Sequence, residues 1–401
     1  MYIMDWYNFC KGCANMTIIP KNYKLSPLLK YPGGKEKELS YILPNLPSNA
    51  KNYYEPFVGG GAVYFALNAE CYFINDKSEE LITLYQLVQK QDLEFLSKLN
   101  QIDHNWKVIE SVVLNHSEEI SQTYYQYKNG MIDKLKLHDK ISSFVFHNAN
   151  EFNGLLSPEF NVGIQNFVNE LIKSFKNKIV RMSEIEKEKG DLSKEDFLSN
   201  IECAFKSAFY MHFRYLYNHS KELNLSKAFY IAIYYYIREF CYSSMFRYNS
   251  NGDFNVPYGG ISYNRKYLTK KIEYLKDVEL KNQLEKTKIS CADFYDFLKE
   301  HKPTADDFMF LDPPYDTEFS TYAKNTFDKN DQERLAECLK QECDCFFMLI
   351  IKNTDFILSL YENSVDKHGR KIKISKFDKK YFVSFQNRNN KEAEHLIITN
   401  Y

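Results

Sequence analysis

The sequence predicts an α/β fold built on a mixed, mostly parallel sheet and interrupted by a long, mainly helical insertion. Three observations predict it. Residues 51–76 read as strand, glycine turn, helix and strand. Four further apolar runs, TKISCADF, FMFLDPPY, CFFMLIIKN and EHLIITNY, follow near the other end, separated by polar helical stretches such as DKNDQERLAECLKQE. Between them, over residues 92–283, long segments rich in Lys, Glu, Tyr and Phe replace the alternation. Strands alternating with helices imply a parallel sheet covered on both faces. The sheet is therefore assembled from two pieces of chain, 25–91 and 284–401, with 92–283 inserted and 1–24 an N-terminal extension.

The elements follow from local chemistry. KNYYEPF is aromatic and extended, VGGG cannot remain helical, AVYFALNAE has the pattern of a short helix, and CYFIND reads as a buried strand. In the insertion, AFYIAIYYYIREFCY is a buried helix and EIEKEKGDLSKED a solvated helix and turn. CYSSMFRYNSNGDFNVPYGG, residues 241–260, predicts a hairpin closed by a two-residue type I′ turn at Asn251-Gly252.

With 44% hydrophobic and 26% charged residues among 401, the chain has the composition of a globular protein. It carries no membrane-length apolar run and no signal-peptide pattern, so a cytoplasmic location is expected. Nine scattered cysteines predict free thiols; Cys10-x-x-Cys13 and Cys343-x-Cys345 are each half a zinc site, and no metal is expected. A net charge of −1 excludes a globally basic nucleic-acid binder, so any DNA contact requires local positive charge.

Gly59, Gly60 and Gly61 lie between a strand and a predicted helix, where glycine lets backbone approach a ligand. Asp76 ends the next strand, where a carboxylate can accept from ribose hydroxyls. Together they suggest an adenosine-containing cofactor. Val63 and Tyr64 stand where a dinucleotide motif continues to its third glycine, and a plain tight turn with Asp76 starting a helix is the bland alternative. KYPGGK sets Lys30 and Lys35 around a turn, by itself an ordinary surface loop. FMFLDPPY delivers Asp312 to the end of a buried strand, where ligands bind in doubly wound sheets. The Asp312 carboxylate and the Pro313 carbonyl could accept both hydrogens of an amino group, and Tyr315 could stack on the flat ring that carries it. A loop with a helix-capping Asp is the alternative. Arg247, on the hairpin, could grip guanine O6 and N7, with Arg265, Lys266, Lys270 and Lys271 supplying phosphate contacts. An ordinary solvent-exposed hairpin is the alternative here.

KYPGGK, EPFVGGG, IND, RYNSNGDFNVPYG, CADF, DPPY and EHLIITNY, in this order over most of residues 28–401, resemble the Dam-like, class alpha DNA adenine N6-methyltransferases. The resemblance implies a Rossmann-like S-adenosylmethionine-dependent fold with an inserted target-recognition domain carrying a β-hairpin. By position it implies a cofactor site of Tyr31, Gly33, Gly34, Lys35, Glu55, Pro56, Phe57, Gly59, Gly61, Asp76, Asp293, Phe294 and Asp312, and a catalytic motif of Asp312, Pro313, Pro314 and Tyr315. It further implies DNA contacts from Lys30, Tyr242, Met245, Arg247, Tyr248, Asn249, Asn255, Pro257, Arg265, Lys266 and Lys270, with Tyr242 wedging into the duplex. The implied partners are duplex DNA and a cognate restriction endonuclease, and the implied target is GATC or a close variant. Tyr31 replaces the usual Trp, Ser243-Ser244 replace a frequent Asn-Gly, and 92–205 is longer than in compact members; these departures bear on the target sequence. A methyltransferase of the same fold acting on RNA adenine or protein glutamine, and a catalytically silent DNA-binding homologue, remain open alternatives.

Overall fold

The computed structural model describes residues 17–21, 25–31, 33–245, 247–314, 327–380 and 392–401. Chain contacts divide it into two units, Met1–Gln89 with Asp277–Tyr401, and Lys90–Lys276.

The first unit is built on a seven-stranded sheet. Its strands are β1 (Asn52–Glu55), β2 (Tyr72–Asn75), β3 (Thr287–Ser290), β4 (Asp307–Leu311), β5 (Phe346–Lys352), β6 (Lys373–Lys380) and β7 (Glu392–Thr399). They lie in the order β3-β2-β1-β4-β5-β7-β6. The first five are mutually parallel, while β7 runs antiparallel to both β5 and β6.

β4 is buried from Asp307 to Leu311, with Phe308 and Phe310 alternating against Met309 and Leu311, as expected of a strand covered on both faces. Met309 and Leu311 pack with Phe297, Leu335, Leu339 and Leu349. β4 ends at Leu311 because Pro313 and Pro314 have no N–H to continue a ladder.

AVYFALNAE departs from the expected helix. Only Tyr64–Ala66 form a single 3₁₀ turn, and Leu67–Asn68 pair antiparallel with Ile19–Pro20. The physical cause is burial: Tyr64, Phe65 and Leu67 all find apolar surroundings only if the backbone turns extended at Leu67, which has φ −114° and ψ 147°.

The second unit is helical, its longest helices being Leu93–Asn115, Ile164–Lys189 and Lys194–Asn218. Asp92, Ser193 and Ser226 cap helices by accepting from Phe95, Asp196 and Phe229 N–H groups. Trp106 meets Phe209, Tyr236, Phe240 and Tyr258 in an aromatic core.

The predicted hairpin forms with a different turn. Asn249 N–H donates to the Asp253 carbonyl, Gly252 N–H to the Asn249 carbonyl, and only Gly252 of the central residues takes positive φ, at 83°. A type I′ turn needs two such residues; a three-residue turn with one left-handed glycine needs one. The Asn249 side chain decides it, its Oδ1 accepting from the Asn251 and Asp253 N–H groups.

Among the described residues six cysteines are free (Cys203, Cys241, Cys291, Cys338, Cys343, Cys345), as expected, whereas Cys71 is disulfide-bonded, which corrects the expectation of free thiols throughout. Among the described residues no cluster could hold a metal ion and no helix is long and apolar enough to cross a membrane.

Candidate active site

Four neighbouring parallel strands, β3, β2, β1 and β4, release their motifs from the same edge of the sheet. β1 leads into Gly59–Gly61, β2 into Asp76, β3 into Asp293, and β4 into Asp312. Carboxyl-end loops of a parallel sheet converge on one crevice, which is why these distant segments meet.

The glycine turn is packed rather than open. Gly59 and Gly61 have φ of 47° and 79°, and a Cβ on Gly61 would stand 2.5 Å from the Tyr85 hydroxyl and 2.9 Å from the Phe65 ring. Tyr85 donates to the Gly59 carbonyl at 3.1 Å. The KYPGG segment lies against the turn: a Cβ on Gly60 would come 3.2 Å from the Leu29 carbonyl, and one on Gly59 3.2 Å from the Tyr31 ring.

Asp76 accepts from the N–H of Gly59 at 3.1 Å and of Ser78 at 2.9 Å. Burial pushes its carboxyl above the ordinary range, against the opposing pull of these N–H groups. Its neighbour Asn75, unremarked in the sequence reading although it stands in the IND motif, stitches the crevice together. Its buried amide donates to the Pro56 and Ala292 carbonyls and accepts from the Ala292 N–H. Only the register of β2 between β1 and β3 reveals that role.

Asp293 caps the helix Phe294–His301 by accepting from the Tyr295 N–H, and pairs with Lys77 and Arg334, each at 2.9 Å. Burial alone would raise its carboxyl, yet Lys77, the N–H and Arg334 together hold it below the usual range. Arg334 also sits 4.7 Å over the Phe294 ring, which with Phe57 and Phe327 forms an aromatic wall.

Lys35 is not the surface lysine of an ordinary loop. Its side chain is only 3% exposed, donates to the Gly33 carbonyl at 2.9 Å, and forms an ion pair with Asp312. Gly33, with φ 80°, supports the reverse turn in which Gly34 N–H donates to the Tyr31 carbonyl. Glu55, buried beside them, receives the Tyr53 hydroxyl at 2.8 Å. Burial drives its carboxyl well up, a shift the Tyr53 hydrogen bond opposes and the charge of Asp312 reinforces. One cation thus stands near two acids, and burial opposes the ionisation of Glu55. Tyr315 lies outside the described residues.

In the second unit, Arg247 is exposed and its Nε donates to Asn255 Oδ1 at 3.0 Å. That bond uses the inner nitrogen, and among the described residues the terminal nitrogens make no hydrogen bond or ion pair. Tyr242, Pro257 and Lys270 are exposed, and Met245 and Tyr248 half-buried. Other expected DNA contacts already have internal partners. Asn249 is tied into the turn, Arg265 pairs with Glu202 and Glu110, Lys266 and Lys271 pair with Glu239, and Asn255 holds Arg247. Lys30, in the first unit, is exposed.

The strand order and the crevice define a Rossmann-like fold of the methyltransferase type. The family model of D12 class N6 adenine-specific DNA methyltransferases matches residues 31–197 and 145–376, and the chain belongs to that family. Among its relatives, type II methyltransferase M.MjaIII of Methanocaldococcus jannaschii is 27% identical over 84% of this chain and 89% of its own. Type II methyltransferase M1.LlaDCHI of Lactococcus lactis is 24% identical over 96% of this chain and 99% of its own. Type II methyltransferase M.CviBI of a Paramecium bursaria Chlorella virus is 34% identical, over 42% of this chain and 60% of the relative. The protein is thus an adenine-specific DNA methyltransferase, acting on the exocyclic N6.

Proposed function

We propose that the methyl donor is S-adenosylmethionine, held at the carboxyl ends of β1, β2 and β3, and that Asp312 and Pro313 receive the target adenine from duplex DNA. The observation that carries this reading is the arrival of Asp312 on the strand next to the glycine turn, ion-paired to Lys35. The residues fit an adenosine-containing cofactor. Asp76 would accept from the ribose hydroxyls, and Phe57, backed by buried Phe294, offers an apolar face to a flat ring. When bound, the cofactor supplies an electrophilic methyl group on a sulfonium.

Asp312 and the Pro313 carbonyl accept the two N6 hydrogens, orienting the amine so that its lone pair faces the methyl group. Positioning and electrostatics supply the acceleration, and the amine proton leaves afterwards. Lys35 holds the Asp312 carboxylate in place through their ion pair.

In the second unit Arg247, buttressed by Asn255, reads guanine, Tyr242 wedges into the duplex, and Lys270 contacts phosphate. Lys30, Met245 and Pro257 complete target reading, with GATC or a close variant as the expected site. The enzyme would act in the cytoplasm, and the type II naming of its relatives supports a modification role beside a cognate restriction endonuclease.

The test is incubation of the protein with adenine-containing duplexes and methyl-labelled S-adenosylmethionine, with mass spectrometry of the nucleosides. Labelled N6-methyladenine is expected from wild type and none from Asp312→Ala, which should still bind the cofactor by calorimetry. Full activity of Asp312→Ala would remove Asp312 from the chemistry.

A further inference from the structure

We infer that Gln332 is a positioning residue for the amine acceptor, fixing the Asp312–Pro314 segment from its far end. The inference rests on the reading of Asp312 and Pro313 as that acceptor. The segment leaves the sheet at Leu311, which is paired with Leu349 of β5, so its near end is fixed. Proline rings set φ at residues 313 and 314, leaving few torsions free. The Gln332 Nε2 donates to the Pro314 carbonyl at 2.9 Å, which pins the far end. The Pro313 carbonyl is therefore aimed by the fixed residues on either side of it.

Gln332 is itself rigid. It is fully buried in the first turn of the helix Lys329–Gln341, and its N–H donates to the Asp328 carbonyl at 3.1 Å. Asp328 and Asp331 close a reciprocal capping box around that turn. A carbonyl can only accept, so the amide must turn its NH₂ toward Pro314 and its Oε1 away.

That Oε1 is buried and has no hydrogen-bond partner among the described residues. A buried acceptor left unpaired is unfavourable, and an apolar side chain of similar shape would remove it while giving up only the bond to Pro314, which is exposed and can turn to water. The defined interaction of the Gln332 amide is its N–H on the Pro314 carbonyl, the bond that holds the loop.

The experiment uses the full chain, single-turnover methyl transfer to duplex DNA, thermal melting, and calorimetry with S-adenosylmethionine. Gln332→Leu should melt no lower than wild type and bind the cofactor unchanged, yet transfer methyl about 10- to 100-fold more slowly, as expected when reacting groups lose alignment. Gln332→Glu provides a second readout. Ionised, it cannot donate to Pro314; protonated, it can, and burial favours the protonated form. Its deficit should shrink as the pH falls from about 8 to about 6, while that of Gln332→Leu stays constant.

Wild-type turnover in Gln332→Leu, a pH-independent deficit in Gln332→Glu, or a parallel loss of melting temperature and cofactor affinity would each overturn the inference. If wild type itself fails to methylate adenine N6, the underlying reading falls instead, and the two failures are told apart by that control.

Discussion

Replacing Lys35 by Met should show whether the lysine serves Asp312 or the cofactor. The Lys35 side chain is 3% exposed and that of Asp312 20%, so the pair is largely removed from water. Removing one partner of a buried pair costs about 3 to 5 kcal/mol, because the other charge is left uncompensated. The partial exposure of Asp312 favours the lower end, about 3 kcal/mol. For a folded unit of roughly 200 residues this lowers the melting temperature by about 6 to 12 °C. Lys35→Met, Asp312→Asn and the double variant are unfolded in urea with and without S-adenosylmethionine. If the pair is the main interaction, the double variant should be more stable than the sum of the singles by about 2 kcal/mol. Methyl transfer should fall in both singles and not return in the double, since the acceptor carboxylate is gone. Strict additivity of the single effects, together with lost cofactor affinity in Lys35→Met, would refute the reasoning and return Lys35 to the cofactor.

Gly61→Ala forces a Cβ to within 2.5 Å of the Tyr85 hydroxyl at φ 79°. It should cost about 1 to 3 kcal/mol in urea melts and weaken cofactor binding by calorimetry. Ser243 and Ser244 are consecutive non-glycine residues at φ 53° and 52°, so Ser244→Gly should stabilise the second unit by up to about 1 kcal/mol, read as a raised melting temperature. Arg247→Ala should lose about 1 to 3 kcal/mol of discrimination at one base pair in a randomised duplex library, and Asn255→Ala should lose part of the same discrimination; Lys270→Ala should instead weaken binding to all sequences and flatten its salt dependence. Buried His212, whose Nε2 donates to the Phe160 carbonyl, has its pKa lowered from 6.5 to about 4 by burial, against that hydrogen bond. Its stabilising contribution is therefore present above pH 6.5 and lost as the pH falls through about 4. The total is about 3 kcal/mol, and His212→Gln should remove that part of the acid sensitivity of melting.

The sheet was legible because its strands carry their own evidence. FMFL and FFMLII are apolar on both faces, and only a doubly covered strand tolerates that. The order β3-β2-β1-β4 was not legible, since nothing in NYYE or YFIN states which neighbour it will choose. AVYFALNAE misleads for a related reason: its spacing satisfies a helix, but the burial of Tyr64, Phe65 and Leu67 is decided by surroundings far along the chain.

The candidate site divides in the same way. Asp312, Gly59–Gly61 and Asp76 could be named from motifs because each sits where a strand must end, and strand ends are local features. Partners across the fold could not. Lys35 looked like half of a solvated turn until the fold brought Asp312 to it, and Gln332 looked like an unremarkable residue of a polar helix until its amide met Pro314. Among the basic residues the difference is sharper. Arg247 and Arg265 are equivalent on paper, yet one meets an asparagine through its inner nitrogen, and the other meets Glu202 and Glu110. Phosphate binding by Arg265 would have to compete with two carboxylates already in place, whereas guanine binding by Arg247 gives up no ion pair among the described residues. Sequence identifies which residues can bind DNA; only the partners they already hold decide which are free to do so.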